Sequence, residues 1–423
     1  MKLLLRLSTV RGIGWYLGIV GAVLSLGFTF LIYPAIGDSQ HAVLDPDLHG
    51  PLGFGLWKLH TFSYYPSSEP ASARGPLYPL FIAAMLAVSD GWFPCAVQLA
   101  QCLLFGLMCV LVFWTARTLW SPPPAVLASA LCAFNPFLIW YTSRIWVEPL
   151  MMVLFTALIA AIVLIKRRPS MLSAILVGSI VGLSVMTKSV YTPFLLLTPL
   201  LLALPFGRRV PFGLAAVVLI AGLAVITPWT LRNGRVTGIF APEVGNTGFT
   251  LHQGNDFVED FSKAPFSVSA LYPLSLARMR AEDMRDEDEI FKPGMNETQR
   301  RNALDASRRH IAIQKLIDEP VFFVKKIFYG LLLFWTFGDS LGKSVFIALL
   351  QLPLVALFCT SVIKRRQELT QGAVGICVSL IVLFYFAHLP TITLARYSAV
   401  LVPAMLIVAV GIFQSREIDH AER

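Results

Sequence analysis

Val147-Glu148-Pro149-Leu150-Met151-Met152-Val153-Leu154-Phe155-Thr156-Ala157-Leu158-Ile159-Ala160-Ala161-Ile162-Val163-Leu164-Ile165-Lys166-Arg167-Arg168 decides the fold class. An acid opens the stretch and a basic triplet closes it. Between them the side chains are apolar over the length an α-helix needs to cross about 30 Å of hydrocarbon. A helix satisfies its own backbone hydrogen bonds, as a bilayer demands. The basic triplet marks the cytoplasmic end under the positive-inside rule, which puts Glu148 on the outer side.

Working outward, the chain has 423 residues, 56% hydrophobic and 14% charged, a balance far too apolar for a soluble globular protein of this size. Its apolar residues gather in further runs of roughly 16 to 25, and no alternating strand pattern of about ten residues occurs. The fold class is an all-α polytopic membrane protein. The net charge of +9 could signal nucleic acid, but Lys166-Arg167-Arg168, Arg208-Arg209 and Lys364-Arg365-Arg366 sit in short hinges between apolar runs. That is the pattern of cytoplasmic anchors, and no nucleic-acid partner is expected. Lys2, Arg6 and Arg11 precede a long apolar run without a small-residue cleavage site, which reads as a retained first span starting inside. Cys95, Cys102, Cys109, Cys132, Cys359 and Cys377 fall almost entirely within apolar runs and form no C-x-x-C, so they read as packing residues.

With the basic hinges inside, spans are expected near 12–33, 92–116, 124–141, 147–165, 171–187, 190–205, 211–229, 344–363, 371–388 and 395–413, about ten crossings in all. Parity then places residues 35–75 outside and leaves the short run 76–89, with Pro76 and Pro79, as a re-entrant or interfacial helix. Residues 142–148, 188–191, the long segment 230–322 and the turn His388-Leu389-Pro390 fall on the same outer side, and the carboxyl terminus falls inside. The organisation is a transmembrane catalytic module 1–229 with a first outer loop 35–75, an outer polar segment 230–322, and a C-terminal transmembrane part 323–423. Segment 230–322 holds 26 of the 59 charged side chains and must be solvated. Within it, 297–318 has apolar positions at helical spacing and is closed by Glu319-Pro320. Gly238 to Asn255, rich in Gly, Asn and Thr, reads as loop or short strand. Residues 323–337 read as an interfacial helix.

Outside that segment only eleven carboxylates remain, of which Asp38, Asp45, Asp47, Glu69, Asp90 and Glu148 lie on or near the outer face. Asp45 and Asp47 flank Pro46, whose fixed φ can turn one carboxylate inward and one to solvent; a solvated turn with a helix cap is the plainer reading. Glu148 at the start of an apolar run is costly unless paired or functional, and Arg144 is at hand to neutralise it. Lys188, in Met186-Thr187-Lys188-Ser189-Val190, and Arg396, in Thr393-Leu394-Ala395-Arg396-Tyr397, are cations on the outer side against the positive-inside preference. They point to an anionic ligand such as a phosphate, or for Lys188 to snorkelling. Trp229, Arg232 and Asn233 end the last span before the outer segment; the Trp reads as an interfacial anchor and Arg232 as the functional candidate. His252-Gln253-Gly254-Asn255 offers hydrogen-bonding groups of the kind that read sugar hydroxyls. No P-loop, dinucleotide fingerprint or HExxH is present.

In chain order, Asp45-Pro46-Asp47-Leu48-His49, Arg74-Gly75-Pro76-Leu77-Tyr78-Pro79, Glu148, the Trp229, Arg232 and Asn233 set, Gly254-Asn255 and Arg396-Tyr397 form a series. From end to end it resembles the polyprenyl-phosphate-sugar-dependent glycosyltransferases of the GT-C fold, which include protein O-mannosyltransferases and the lipid A aminoarabinose transferase. The resemblance implies a GT-C-like helical bundle with two outer-face loops. It also implies an inverting transfer, in which an acceptor hydroxyl attacks the anomeric carbon of a lipid-phosphate-linked sugar. The family's first outer loop begins with Asp and an aromatic four residues on; here that spacing runs from Asp45 to His49, so Asp45 is the first candidate for general base and Asp47 its competitor. Lys188, Arg232 and Arg396 are expected to stabilise the departing phosphate, with Glu148, Arg74, Tyr78, Asn255 and Tyr397 completing the substrate-binding set. The implied donor is a polyprenyl-phosphate sugar and the acceptor a lipid, glycan or protein, with no metal or cofactor. The implied location is the plasma (inner) membrane, with the active site on the non-cytoplasmic side. A secondary transporter and a lipid-linked glycan polymerase or ligase are the alternative readings; a transporter would place its charges near the midplane between two similar halves.

Overall fold

The computed structural model describes residues 2–36, 45–66, 68–204, 209–263, 274, 276–281 and 290–414. Asp38, Arg208 and the tail 415–423 lie outside the described residues, among which no strand occurs. Among the described residues, five helices are long and apolar enough to cross a membrane: Gly12–Ile36, Cys95–Leu119, Glu148–Arg167, Phe212–Thr237 and Leu341–Lys364. The pair Pro122–Ala133 and Pro136–Thr142, bent by 51°, can form a sixth span. The bend has a local cause. Asn135 accepts hydrogen bonds from the amides of Phe137 and Leu138, and Pro136 occupies the first helical position, so a new helix starts there. Shorter apolar helices stand at Leu77–Val88, Met171–Thr187, Ser189–Ala203, Ala373–His388 and Val402–Phe413. The chain is thus a multi-pass membrane protein, and each apolar run singled out in the sequence has a helix in its place.

Cys95–Leu119 and Glu148–Arg167 form the buried centre, whereas Gly12–Ile36, Phe212–Thr237 and Leu341–Lys364 present most of their side chains outward. The first helix approaches the centre closely because both partners lack side chains at the crossing. A Cβ on Gly18 would lie 2.9 Å from the Gly106 carbonyl oxygen, and one on Gly106 would lie 2.7 Å from that of Gly18. Such small-residue seams let van der Waals contact hold helices together where lipid removes the hydrophobic drive. Four cysteines, Cys102, Cys109, Cys132 and Cys377, are buried as packing residues, while Cys359 faces outward.

The two ends of the bundle differ chemically. At one end Arg167 donates to the Thr118 carbonyl, Trp120 Nε1 donates to the Ile407 carbonyl at 2.7 Å, and Arg365 donates to the Gln414 carbonyl at 2.5 Å. That end holds the Lys166-Arg167-Arg168 and Lys364-Arg365-Arg366 hinges. The opposite ends of the two central helices begin at Cys95 and Glu148, where the candidate site lies.

Beyond that second end sit the polar segments. Phe212–Thr237 runs about two turns past the expected boundary at 229 and ends at Gly238, whose φ of +77° is the left-handed closure glycine allows. Thr247–Lys263 is a helix, which corrects the expectation of loop or short strand for its first half. The glycines there serve close packing. Gly248 lies against the backbone of Asp305, and a Cβ on Gly254 would fall 2.6 Å from the Thr391 carbonyl carbon. Glu297–Asp318 forms as expected, with Asn296 and Gln299 in a reciprocal capping box. Pro320–Thr336 follows it. The polar segment 230–322 is fastened to residues 69–72: Glu69 accepts from Thr298 N at 2.6 Å, and Val244 N donates to the Ser72 carbonyl at 2.9 Å.

Candidate active site

Asp45 and Asp47 divide their work. Asp45 is 8% exposed, and both its oxygens accept backbone N–H groups, Oδ1 from His49 at 2.9 Å and Oδ2 from Gly50 at 2.6 Å. It is therefore the cap of helix His49–Phe54, reached through Leu48 in a left-handed conformation with φ 57°. Burial pushes the Asp45 carboxyl up to about 6, against the pull of those two amides. Asp47 points the other way, with its side chain 22% exposed. Burial is overcome there by the guanidiniums of Arg396 and Arg74, which hold the Asp47 carboxyl well below the ordinary carboxylate range. Oδ2 stands 3.2 Å from Arg396 Nη2, and Oδ1 stands 3.7 Å from Arg74 Nη2.

Arg396 continues the chain of charges inward. Its Nε lies 3.3 Å from Oε1 of Glu148, a fully buried carboxylate at the first turn of its helix. Trp146 and Tyr397 flank the guanidinium with ring centroids 5.2 and 5.0 Å away, and Trp146 also lies 4.8 Å from Arg144. Held by two acids and two aromatic faces, Arg396 is preorganised. The Lys188 ammonium rests 4.1 Å from the Tyr397 ring, and the His388 ring lies 4.8 Å from it. Asp47, Arg74, Glu148, Lys188, Arg396 and Tyr397 thus come from five separate stretches of chain to one end of the bundle. Among the described residues no group of three His, Cys, Asp or Glu side chains is placed to hold a metal ion.

His49 stands where the family pattern has an aromatic, and it packs as one. Its imidazole meets the Tyr78 ring edge-on at 5.0 Å, and burial lowers its pKa to about 3, so it stays neutral. Tyr78 is itself fully buried, and its hydroxyl donates to Gln101 Oε1 at 2.6 Å. Gln101 in turn donates to the carbonyls of Thr142 and Arg144 at 3.0 and 2.7 Å. Tyr78 therefore supports the site from below.

Two other sequence candidates have their hydrogen-bond partners outside the cluster. Arg232 donates to the Ala71 carbonyl at 2.5 Å and to Asn233 Oδ1 at 2.9 Å, with its guanidinium 4.7 Å from the Trp229 ring. Trp229, Arg232 and Asn233 together clamp residues 71 and 241–242. Asn255 is fully buried: Nδ2 donates to the Ala312 carbonyl at 3.0 Å, and Oδ1 accepts from Lys326 Nζ at 2.5 Å. It ties the helices Thr247–Lys263 and Glu297–Asp318 to Pro320–Thr336. Sequence reasoning missed Glu243 and Ser189, which bond to each other at 2.6 Å beside Arg74 and Lys188. Glu243 was hidden among the many acids of the outer segment, although Ala241-Pro242-Glu243 is the first acid after the last span before it.

A GT-C-like helical bundle is the fold that the sequence leads one to expect, and these helices place the charged cluster at the end where Glu148 begins its helix. Comparison with solved structures bears this out at the level of the fold. The oligosaccharyltransferase of Archaeoglobus fulgidus in the apo form matches with a TM-score of 0.56 at 13% identity, over 94% of this chain and 50% of that one. The same archaeal enzyme, AglB, in complex with an inhibitory peptide and a dolichol-phosphate matches with a TM-score of 0.55 at 12% identity, over 95% and 50%. Its form tethered to an acceptor peptide containing the NVT sequon gives 0.54 at 12% identity, over 94% and 49%. The chain spans about half the length of these solved structures. No family model matches the sequence, and no curated protein does.

Proposed function

We propose that this chain is a membrane glycosyltransferase that moves a sugar from a polyprenyl-phosphate-linked donor to an acceptor hydroxyl on the non-cytoplasmic face, with inversion. The observation that carries the reading is the Asp47–Arg396–Glu148 array, flanked by Arg74 and Lys188, at the end of the bundle away from the basic hinges. The positive-inside rule makes that end the outer one. Charges gathered at one end, rather than at midplane, disfavour the transporter reading. A GT-C fold, seen in AglB with a bound dolichol-phosphate, supports a lipid phosphate as the ligand of these cations.

The chemistry follows from the charges. The acceptor oxygen attacks the anomeric carbon and forms the new C–O bond, while the bond to the lipid phosphate breaks and its electron pair leaves with the phosphate. Arg396 and Lys188, fixed before substrate arrives, stabilise that growing negative charge. The acceptor proton passes to a carboxylate on the opposite side. Of the two family-register candidates we assign this role to Asp47, because both oxygens of Asp45 are engaged by its own helix. A carboxylate pinned by two guanidiniums is a weak base, but donor binding changes that. A phosphate drawing on Arg396 and Lys188 leaves Asp47 with less positive charge and a higher proton affinity, so the base strengthens once the donor is in place. Incubating membranes with a panel of radiolabelled polyprenyl-phosphate sugars tests the reading: label moves to a lipid, glycan or protein fraction with at least one donor, and failure with every donor contradicts it.

A further inference from the structure

The loop after helix Phe212–Thr237 is folded back onto the membrane part. Trp229 Nε1 donates to the Pro242 carbonyl at 3.0 Å, Asn233 Nδ2 to the Ala241 carbonyl at 2.9 Å, and Val244 N to the Ser72 carbonyl at 2.9 Å. These bonds drive the half-buried Glu243 between two turns of the transmembrane part. Its Oε1 accepts Gly75 N at 3.1 Å, and its Oε2 accepts Ser189 Oγ at 2.6 Å. Gly75 follows Arg74, and Ser189 follows Lys188. The two turns also meet backbone to backbone, since a Cβ on Gly75 would fall 3.0 Å from the Thr187 carbonyl oxygen. With both oxygens occupied, Glu243 has a holding role and not a substrate contact, and its charge sits beside two like-charged groups whose repulsion it offsets.

We infer that Glu243 is a positioning residue, which holds Gly75 and Ser189 on one carboxylate and so sets the spacing of the Arg74 guanidinium and the Lys188 ammonium for the lipid phosphate. It is the point at which the outer segment reaches into the site. The inference rests on the proposed transfer reaction.

The test uses the full-length protein in detergent, titrated with undecaprenyl phosphate. Glu243→Ala is expected to raise the apparent Kd on the order of tenfold, whereas Glu243→Gln, which keeps an acceptor for Gly75 N and a polar partner for Ser189, stays within about twofold. Ser189→Ala, which cuts one of the two bonds, falls between them. In the transfer assay the Ala variant shows its loss chiefly in the donor KM, with a smaller loss in kcat. Wild-type affinity in both Glu243→Ala and Ser189→Ala overturns the inference. If Glu243→Ala does not fold, Ser189→Ala decides: weakened binding supports the clamp, and unchanged binding refutes it. Absence of binding by the wild-type protein sinks the proposed function and this inference with it, an outcome distinct from equal binding by all variants.

Discussion

Arg396 and Asp47, 349 residues apart in sequence, meet at 3.2 Å, and the same guanidinium reaches Glu148 at 3.3 Å on its other edge. One cation therefore couples the first outer loop, a central helix and the last turn of the bundle. Removing it takes from the buried Glu148 the cation 3.3 Å away.

Arg396→Met is expected to cost about 3–5 kcal/mol of stability through the stranded Glu148 carboxylate. The double variant Arg396→Met, Glu148→Gln recovers most of that loss but not affinity for the lipid-linked donor. Thermal unfolding in detergent beside donor titration reads both, and a double variant with wild-type donor affinity contradicts the role given to Arg396.

Lys188→Met removes a cation held over Tyr397 at 4.1 Å. Donor affinity is expected to drop on the order of tenfold with acceptor KM unchanged, as loss of one charge-assisted phosphate contact implies. Equal donor affinity in the variant favours snorkelling.

Asp45 supplies a pH signature. Its carboxyl is held at about 6 against an ordinary 3.8, so its protonated form favours the fold. That contribution is present in full below the unfolded value and is lost as pH rises through 6. Relative to Asp45→Asn, wild type loses roughly 2–3 kcal/mol of stability between about pH 4.5 and 7. Parallel stability curves for the two proteins contradict the burial of this carboxyl.

Asn255 and Lys326 separate structure from substrate binding. Asn255→Ala breaks bonds to Ala312 and Lys326 and is expected to destabilise the outer segment by roughly 1–3 kcal/mol, with donor and acceptor KM unchanged. A selective rise in either KM returns Asn255 to the binding set.

The membrane helices were legible because apolar length and basic hinges are one-dimensional signals, and Glu148, Lys188 and Arg396 stood out by violating them. The outer segment was less legible. Gly248 and Gly254 resembled loop residues, yet each is a place where another backbone passes too close for a Cβ, a fact only the partner chain segment reveals. Tyr78 and Asn255 matched family motifs, but their buried partners Gln101 and Lys326 lie at positions no local pattern links to them. His49 looked like a departure from the pattern and packs as the aromatic it replaces.

The central claim concerns Asp47, and the most direct test is turnover by reconstituted protein carrying Asp47→Asn or Asp45→Asn, assayed with a donor from the panel. The account predicts that Asp47→Asn lowers kcat by about 10²–10⁴-fold with donor affinity undiminished, while Asp45→Asn stays within about tenfold of wild type. Wild-type turnover in Asp47→Asn, with the loss appearing in Asp45→Asn instead, contradicts the assignment and returns the base to Asp45.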